Sequence, residues 1–527
     1  MLRYSYFYYF SIIVLLAAGS CKSDNREIKP NIILIMADDM GFYDIECYGG
    51  EIATPVLDSL AGQGVLMTQF YNAARCCPSR AALMSGMYPH QVGFGSMEDQ
   101  GPGRPKAYQG YLPHDITTMA EAFRANGYDT YLSGKWHLGS KEELKQWPVH
   151  HGFDHSWGLI SGASSYYDLD PFVILHYLNG DTAEIIFAED RRRIYDLPED
   201  SYLTDVYTDR AMDYIDASVN QEKPFFLYLA YTAPHWPLQA PERLIKKYEN
   251  IYNAGWEGLR SQRLNRLNHV IKAELSPGVE QSDAWDSLSK VQKEREIRKF
   301  ATYAAMVESM DQNIGRLMRH LDQNQLSENT IVVFLSDNGG SAEDIESWSG
   351  WGEIISREGK IGTPQSMVSY GSQWANVSNT PFRLYKKYVH EGGISTPFII
   401  SYPKKLPANK VFEKEYAHII DLYPTLLDIA GLEINNEQLE GVSLMPILTN
   451  QGSKKDRPIF WEHLENKAIR YGDWKAVKQK DLPWELYQMS LDRSELNDIS
   501  NQKPTLLDSL IDLHEEWENI VGVYPKP

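Results

Sequence analysis

Four short, uninterrupted apolar runs set the strongest limit on how this chain can fold: Asn31 to Ala37, Phe225 to Ala230, Thr330 to Leu335 and Pro397 to Ile400. Each has the length of a strand buried on both faces. Amphipathic helical stretches lie between them, at Ile116 to Ala125, Asp205 to Ala217 and Tyr303 to Leu321. The alternation predicts an α/β fold with a large mixed, mostly parallel sheet flanked by helices, whose active site gathers at the carboxyl ends of the strands. The pattern then changes. Pro458 to Glu462, Ala468 to Tyr471, Trp474 to Val477 and Trp484 to Tyr487 read as short strands with turns between them, followed by a helix from Pro504 to Ile520. A catalytic domain over 30–450 and a smaller C-terminal α+β domain over 451–527, containing an antiparallel sheet, are expected.

The net charge of -20 argues against a nucleic-acid partner or a basic membrane-binding face, so an anionic substrate needs a local basic pocket. Met1 to Ser20 read as a secretory signal, with Arg3 in the n-region, Phe7 to Leu16 as the h-region and small residues closing it. The segment is too short for a membrane span. Cys21 resembles the lipid-modified cysteine of bacterial lipoproteins, with 21–29 as a tether, while Ala18 and Ser20 also fit ordinary signal-peptidase cleavage. The expectation is an exported bacterial protein, periplasmic or anchored in the outer membrane through Cys21 alone. The other cysteines are Cys47, Cys76 and Cys77, which make no disulfide framework. A single Cys47–Cys77 bridge and two buried thiols are both open.

Acidic clusters stand where the fold expects chemistry. Asp38-Asp39 follow the first apolar run, and Asp337-Asn338-Gly339-Gly340 follow the third. Oxygen ligands alone suit calcium or magnesium rather than zinc, although each cluster taken singly also fits a loop cap. Lys135 and His137, in Gly134-Lys135-Trp136-His137-Leu138-Gly139, follow the strand-like Asp129 to Leu132, so both side chains could face one pocket. His235 follows another strand in Ala233-Pro234-His235-Trp236-Pro237, where an imidazole could donate a proton to a departing alkoxide. Asn379 to Lys387, leading to Glu391-Gly392-Gly393, adds Lys386 and Lys387, which residue type does not separate. Cys76 precedes Pro78, Ser79 and an apolar run, which places it at a helix start where backbone N–H groups favour an anion.

Cys76-Cys77-Pro78-Ser79-Arg80 with Ala81-Ala82-Leu83-Met84-Ser85-Gly86 looks like the maturation signature of type I sulfatases. Together with the ordered motifs above, the chain resembles the sulfatase family of the alkaline-phosphatase superfamily over roughly residues 30 to 500. Pro234 to Pro241 and Arg383 to Lys386 look most like bacterial arylsulfatases.

The resemblance implies an alkaline-phosphatase-like fold and hydrolysis of a sulfate ester to alcohol and inorganic sulfate. It implies that a sulfatase-maturing enzyme oxidises Cys76 to formylglycine, whose hydrate carries two hydroxyls on one carbon. Asp38, Asp39, Asp337 and Asn338 would bind one calcium ion, with the modified Cys76 completing the shell. Arg80 would hold the nucleophile's hydroxyl, and Lys135 and Lys386, chosen over Lys387, would bind sulfate oxygens. His235 would protonate the leaving oxygen and His137 would take the proton from the second hydroxyl. His90 fits a pocket wall or a packed imidazole and is left out of the site.

Two rivals remain: a phosphate or phosphonate diester hydrolase of the same superfamily, and a lipoprotein that binds sulfated glycans with Cys76 still a thiol. An aryl, a sugar and a steroid sulfate are all open as substrate. Loops 161–170, 181–198 and 252–298 are candidate pocket walls, the last as a surface rim, and Tyr166, Tyr167, Trp236 and Trp374 could stack on a ring or pack internally.

Overall fold

A computed structural model describes residues 28–98, 103–139, 144–169, 175–176, 182–183, 185–267, 284–347, 359–434, 436–449 and 456–523. The expected signal segment, Cys21, most of the tether and parts of all three wall loops lie outside the described residues. No described helix is long and apolar enough to cross a membrane.

The main sheet runs, edge to edge, Lys410–Phe412, Val65–Met67, Phe398–Ser401, Thr330–Ser336, Asn31–Ala37, Phe225–Ala230, Asp129–Gly134, His155–Leu159, Phe187–Glu189 and Arg192–Ile194. Its five central strands, from Thr330–Ser336 to His155–Leu159, are all parallel. Phe398–Ser401 on one side and Phe187–Glu189 on the other run antiparallel to them, so the sheet is mixed as expected. Every residue of Asn31–Ala37 is buried because both faces are covered. Ile32, Leu34 and Met36 point into the core that holds helix Cys76–Ser85, and Ile33, Ile35 and Ala37 into the core beneath helix Lys290–Gln323.

Two expectations need correction. The polar stretch 252–298 is no simple surface rim, because Gly255–Leu267 is a helix whose Arg263 is completely buried. Its guanidinium donates to Asp44 at 2.9 Å and to Glu51 at 2.7 and 2.9 Å, so matched carboxylates let a charged residue sit in the core. Lys290 to Arg298 open the long helix, which starts well before Tyr303 and is capped by Ser289. Of the two alternatives left open for Trp374 and Tyr166, the structure shows internal packing: Trp374 stacks on Phe300 at 4.5 Å, and the Tyr166 hydroxyl donates to the Thr232 and His235 carbonyls. Cys47 and Cys77 are both free thiols.

The C-terminal region forms a separate antiparallel sheet of Ile459–His463, Asn466–Tyr471, Trp474–Lys478 and Trp484–Gln488, with helix Pro504–Val521 against it. Glu391, in the short helix Glu391–Ile394 that leads to the main-sheet strand Phe398–Ser401, ties this sheet to the rest of the fold. Its carboxylate accepts from Lys475 and Arg493, each at 2.9 Å, and from the Tyr71 hydroxyl at 3.1 Å. Burial pushes that carboxyl up, yet Lys475 and Arg493 outweigh it and hold the group at about 2.

Candidate active site

The parallel register sets Ala37 opposite Ser336, so the two acidic clusters leave the sheet side by side. All four side chains, Asp38, Asp39, Asp337 and Asn338, are buried. Asp39 adopts φ 65, a left-handed backbone that aspartate tolerates. Its N–H donates to Asp337 Oδ1 at 3.1 Å, and Asn338 Nδ2 donates to Asp39 Oδ1 at 2.6 Å. Asp38 Oδ1 and Asn338 Oδ1 are buried and accept no hydrogen bond. Two open oxygens beside two further carboxylates, with no sulfur or imidazole required, fit a hard divalent cation.

The nucleophile segment is built locally. Asn72 Oδ1 accepts from the Ala74 N–H and Ser79 Oγ from the Ala73 N–H, both at 2.9 Å, which fixes the entry into helix Cys76–Ser85. Pro78 lies in the first turn, where a missing N–H costs nothing. Every residue of the helix is buried. Arg80 lies one turn beyond Cys76, on the same face. Its Nε and Nη2 donate to Asp337 Oδ2, and its Nη1 donates to the Lys135 carbonyl at 2.9 Å.

Cys76 Sγ, Cys77 Sγ and one His137 ring nitrogen lie within 4.8 Å of one another. Hydrogen bonding from the Cys77 thiol, aided by the charge of Lys135, pulls the Cys76 thiol well below its usual range despite burial. Burial pushes His137 down to about 3, so it is neutral and able to accept a proton. Glu98 Oε1 stands 3.5 Å from His137 Nε2.

Lys135 Nζ donates to Asp38 Oδ2 at 2.6 Å and Lys386 Nζ to Asp39 Oδ2 at 2.8 Å, so both ammonium groups flank the acidic cluster. His235 Nδ1 contacts the Trp236 carbonyl at 2.6 Å, which requires the proton on Nδ1 and leaves Nε2 to face Lys386 at 3.5 Å. Burial, with Lys386 and Lys135 opposing the pull of Asp39, holds His235 at about 4. A cleft lined by Asp39, His235, Trp236, Ser341 and Tyr370 opens beside this pair.

All ten sequence-derived site residues therefore converge: Cys76, Arg80, Lys135, His137, His235, Lys386, Asp38, Asp39, Asp337 and Asn338. His90 does not join them, since its Nε2 pairs with Glu462 at 2.7 Å. Lys387 reaches only the outer side of the cluster, 3.5 Å from Glu343 and part-exposed. Glu343 was not singled out in the sequence. It joins Lys386 at 3.4 Å, Arg75 at 3.3 Å and the Trp236 indole N–H at 2.8 Å, and its only sequence signal is its place just after Gly339-Gly340.

Residues 30–432 match the Sulfatase family model, and 382–520 match the model for the C-terminal region of N-sulphoglucosamine sulphohydrolase. The chain is 34% identical to an arylsulfatase of Klebsiella aerogenes over 83% of its own length and 94% of the relative's. It is 31% identical to an uncharacterised sulfatase of Schizosaccharomyces pombe over 95% of each chain. The solved structure of Ps i-CgsB in complex with k-i-k-neocarrahexaose superposes with TM-score 0.69 at 29% identity, covering 93% of this chain and 92% of that one.

Proposed function

We infer that this chain, which belongs to the sulfatase family and is a sulfuric ester hydrolase, hydrolyses a sulfated sugar using Cys76 oxidised to formylglycine and one calcium ion. The observation that carries this reading is the burial, in one cluster, of the Cys76 helix start, two flanking lysines and the open oxygens of Asp38 and Asn338. Asp38, Asp39, Asp337 and Asn338 would hold the ion, which supplies positive charge against the sulfate oxygens. Cys76, once oxidised to formylglycine and hydrated, would supply two hydroxyls on one carbon beside the sulfate.

The remaining work falls to side chains. Lys135 and Lys386 neutralise and orient the sulfate, and Arg80 fixes Asp337 while keeping a positive charge one turn from residue 76. His137, neutral and beside residue 76, accepts the hydroxyl proton. In the Lys386–His235 pair the proton that the departing alkoxide can take sits on Lys386 Nζ, which faces His235 Nε2. A sugar is favoured as leaving group by the carbohydrate ligand of Ps i-CgsB and by the C-terminal match to a model named for a glucosamine sulphohydrolase. Export, with Cys21 lipidated, is the matching proposal for location and rests on the sequence of the leader.

The test is co-expression with a sulfatase-maturing enzyme, peptide mass spectrometry on Cys76, and sulfate release from aryl and sugar sulfates. Conversion with calcium-dependent release, absent in Cys76→Ala, supports the reading. Full conversion with turnover of phosphate diesters instead of sulfate esters overturns it in favour of the phosphodiesterase, and an unconverted thiol overturns it in favour of a glycan-binding protein.

A further inference from the structure

His463 ends the first strand of the C-terminal sheet and is buried, yet both of its ring nitrogens lack a hydrogen-bond partner. Its place follows from the strand. Ile459, Trp461 and His463 alternate onto one buried face, and Trp461 donates its indole N–H to the Asn72 carbonyl at 2.7 Å while its ring meets Tyr71 edge-on. Asn72 lies four residues before Cys76, so the same face, continued two residues and about 6.8 Å to His463, runs along the entry to the nucleophile helix. The charges that act on His463 are those of Arg75, Glu462, His90 and Cys76. Glu462 is taken by His90 and by the Tyr108 hydroxyl, so it offers His463 no bond.

Arg75 repeats the anomaly. It immediately precedes Cys76, its Nη2 pairs with Glu343, and its Nε is buried without a partner. Three open polar atoms on two side chains where the C-terminal sheet meets the entry to the nucleophile helix are costly in a folded chain unless something binds them. Burial, reinforced by Arg75, pushes His463 down to about 3, so the imidazole is neutral and offers one donor and one acceptor. Arg75 adds a donor whose charge Glu343 already balances. That set matches hydroxyl groups, which donate and accept, and suits neither a bare aromatic ring nor a second anion.

We propose that His463 and Arg75 form a subsite that hydrogen-bonds the hydroxyls of the sugar carrying the scissile sulfate, so the C-terminal sheet selects the substrate. This deepens the sugar-sulfate reading and rests on it. His463 acts as a specificity residue and takes no proton in the reaction.

The experiment compares wild type with His463→Phe and His463→Gln, each fully converted at Cys76. The substrates are 4-nitrophenyl sulfate and a panel of monosulfated galactoses and N-acetylhexosamines. His463→Phe is expected to lower kcat/KM on the best sugar sulfate by about tenfold or more, mainly through KM, for the loss of one or two hydrogen bonds. Aryl sulfate turnover is expected to stay within about twofold, and His463→Gln, which keeps a donor and an acceptor, to recover part of the sugar activity. Removing two unpartnered buried atoms should also leave the melting temperature of His463→Phe unchanged or raised, which a structural role would not. Equal losses on both substrates, or no loss on sugars, overturn the proposal. If either variant fails to fold, Arg75→Gln decides by the same ratio of sugar to aryl activity. A wild type that hydrolyses the aryl sulfate and no sugar sulfate overturns the sugar reading itself, whatever the variants do.

Discussion

Arg80 sets Nε and Nη2 at 3.1 and 2.8 Å from one oxygen of Asp337. The other Asp337 oxygen accepts the Asp39 N–H, so the guanidinium and the first strand together orient a carboxylate expected to bind the metal. Lysine cannot reproduce a planar double contact. Arg80→Lys is expected to keep the fold and lower kcat/KM on an aryl sulfate by about 10²–10³-fold. Retention of more than a tenth of wild-type activity in steady-state assays would contradict this role.

Calcium removal should abolish turnover, and re-addition should restore it. Calcium should also raise the melting temperature of wild type, since an ion at about a hundred times its Kd stabilises the native state by about 2.7 kcal/mol. Asn338→Ala removes one of the two open oxygens and should lose most of that response in differential scanning calorimetry. An equal shift in the variant would move the metal site elsewhere.

His235 is expected to matter in proportion to how badly the leaving oxygen needs a proton. In His235→Ala, kcat/KM on a sugar sulfate should fall by about 10²–10⁴-fold, and on 4-nitrophenyl sulfate by less than about tenfold. The comparison is one set of initial-rate assays, and uniform losses would give the residue another task.

Glu391 makes stability depend on acid. Its folded-state carboxyl sits at about 2 against an ordinary 4.5, so it stabilises the fold fully above pH 4.5 and loses that contribution as pH falls toward 2. Glu391→Gln leaves Lys475 and Arg493 buried with less compensation and is expected to cost about 3 kcal/mol at neutral pH in urea unfolding. The gap between variant and wild type should shrink as pH drops through that window. A constant gap would assign the cost to packing.

Strands Asn31–Ala37 and Phe225–Ala230 follow their apolar runs residue for residue, because continuous apolar runs of that length fit little else. The site was legible for a related reason: strand order brings Asp38 and Asp337 to one edge, and each remaining group stands beside a turn or strand end. Glu343 and His463 were not legible. An isolated glutamate or a histidine at the end of a short strand has no local pattern, and its meaning depends on what a distant element places against it. Arg263 misled in the same way, since its polar neighbourhood in sequence conceals two carboxylates waiting in the core.

The pairing of Arg80 with Asp337 spans 257 residues of chain. At about 5–20 residues per second, a ribosome needs roughly 13 to 50 s to make that stretch. The nucleophile helix, every residue of which ends up buried, lacks the carboxylate that takes two of its arginine's N–H groups until then. Synthesis rate thus sets a minimum interval during which the thiol of Cys76 stays outside its finished enclosure, and any enzyme that oxidises it works against that clock.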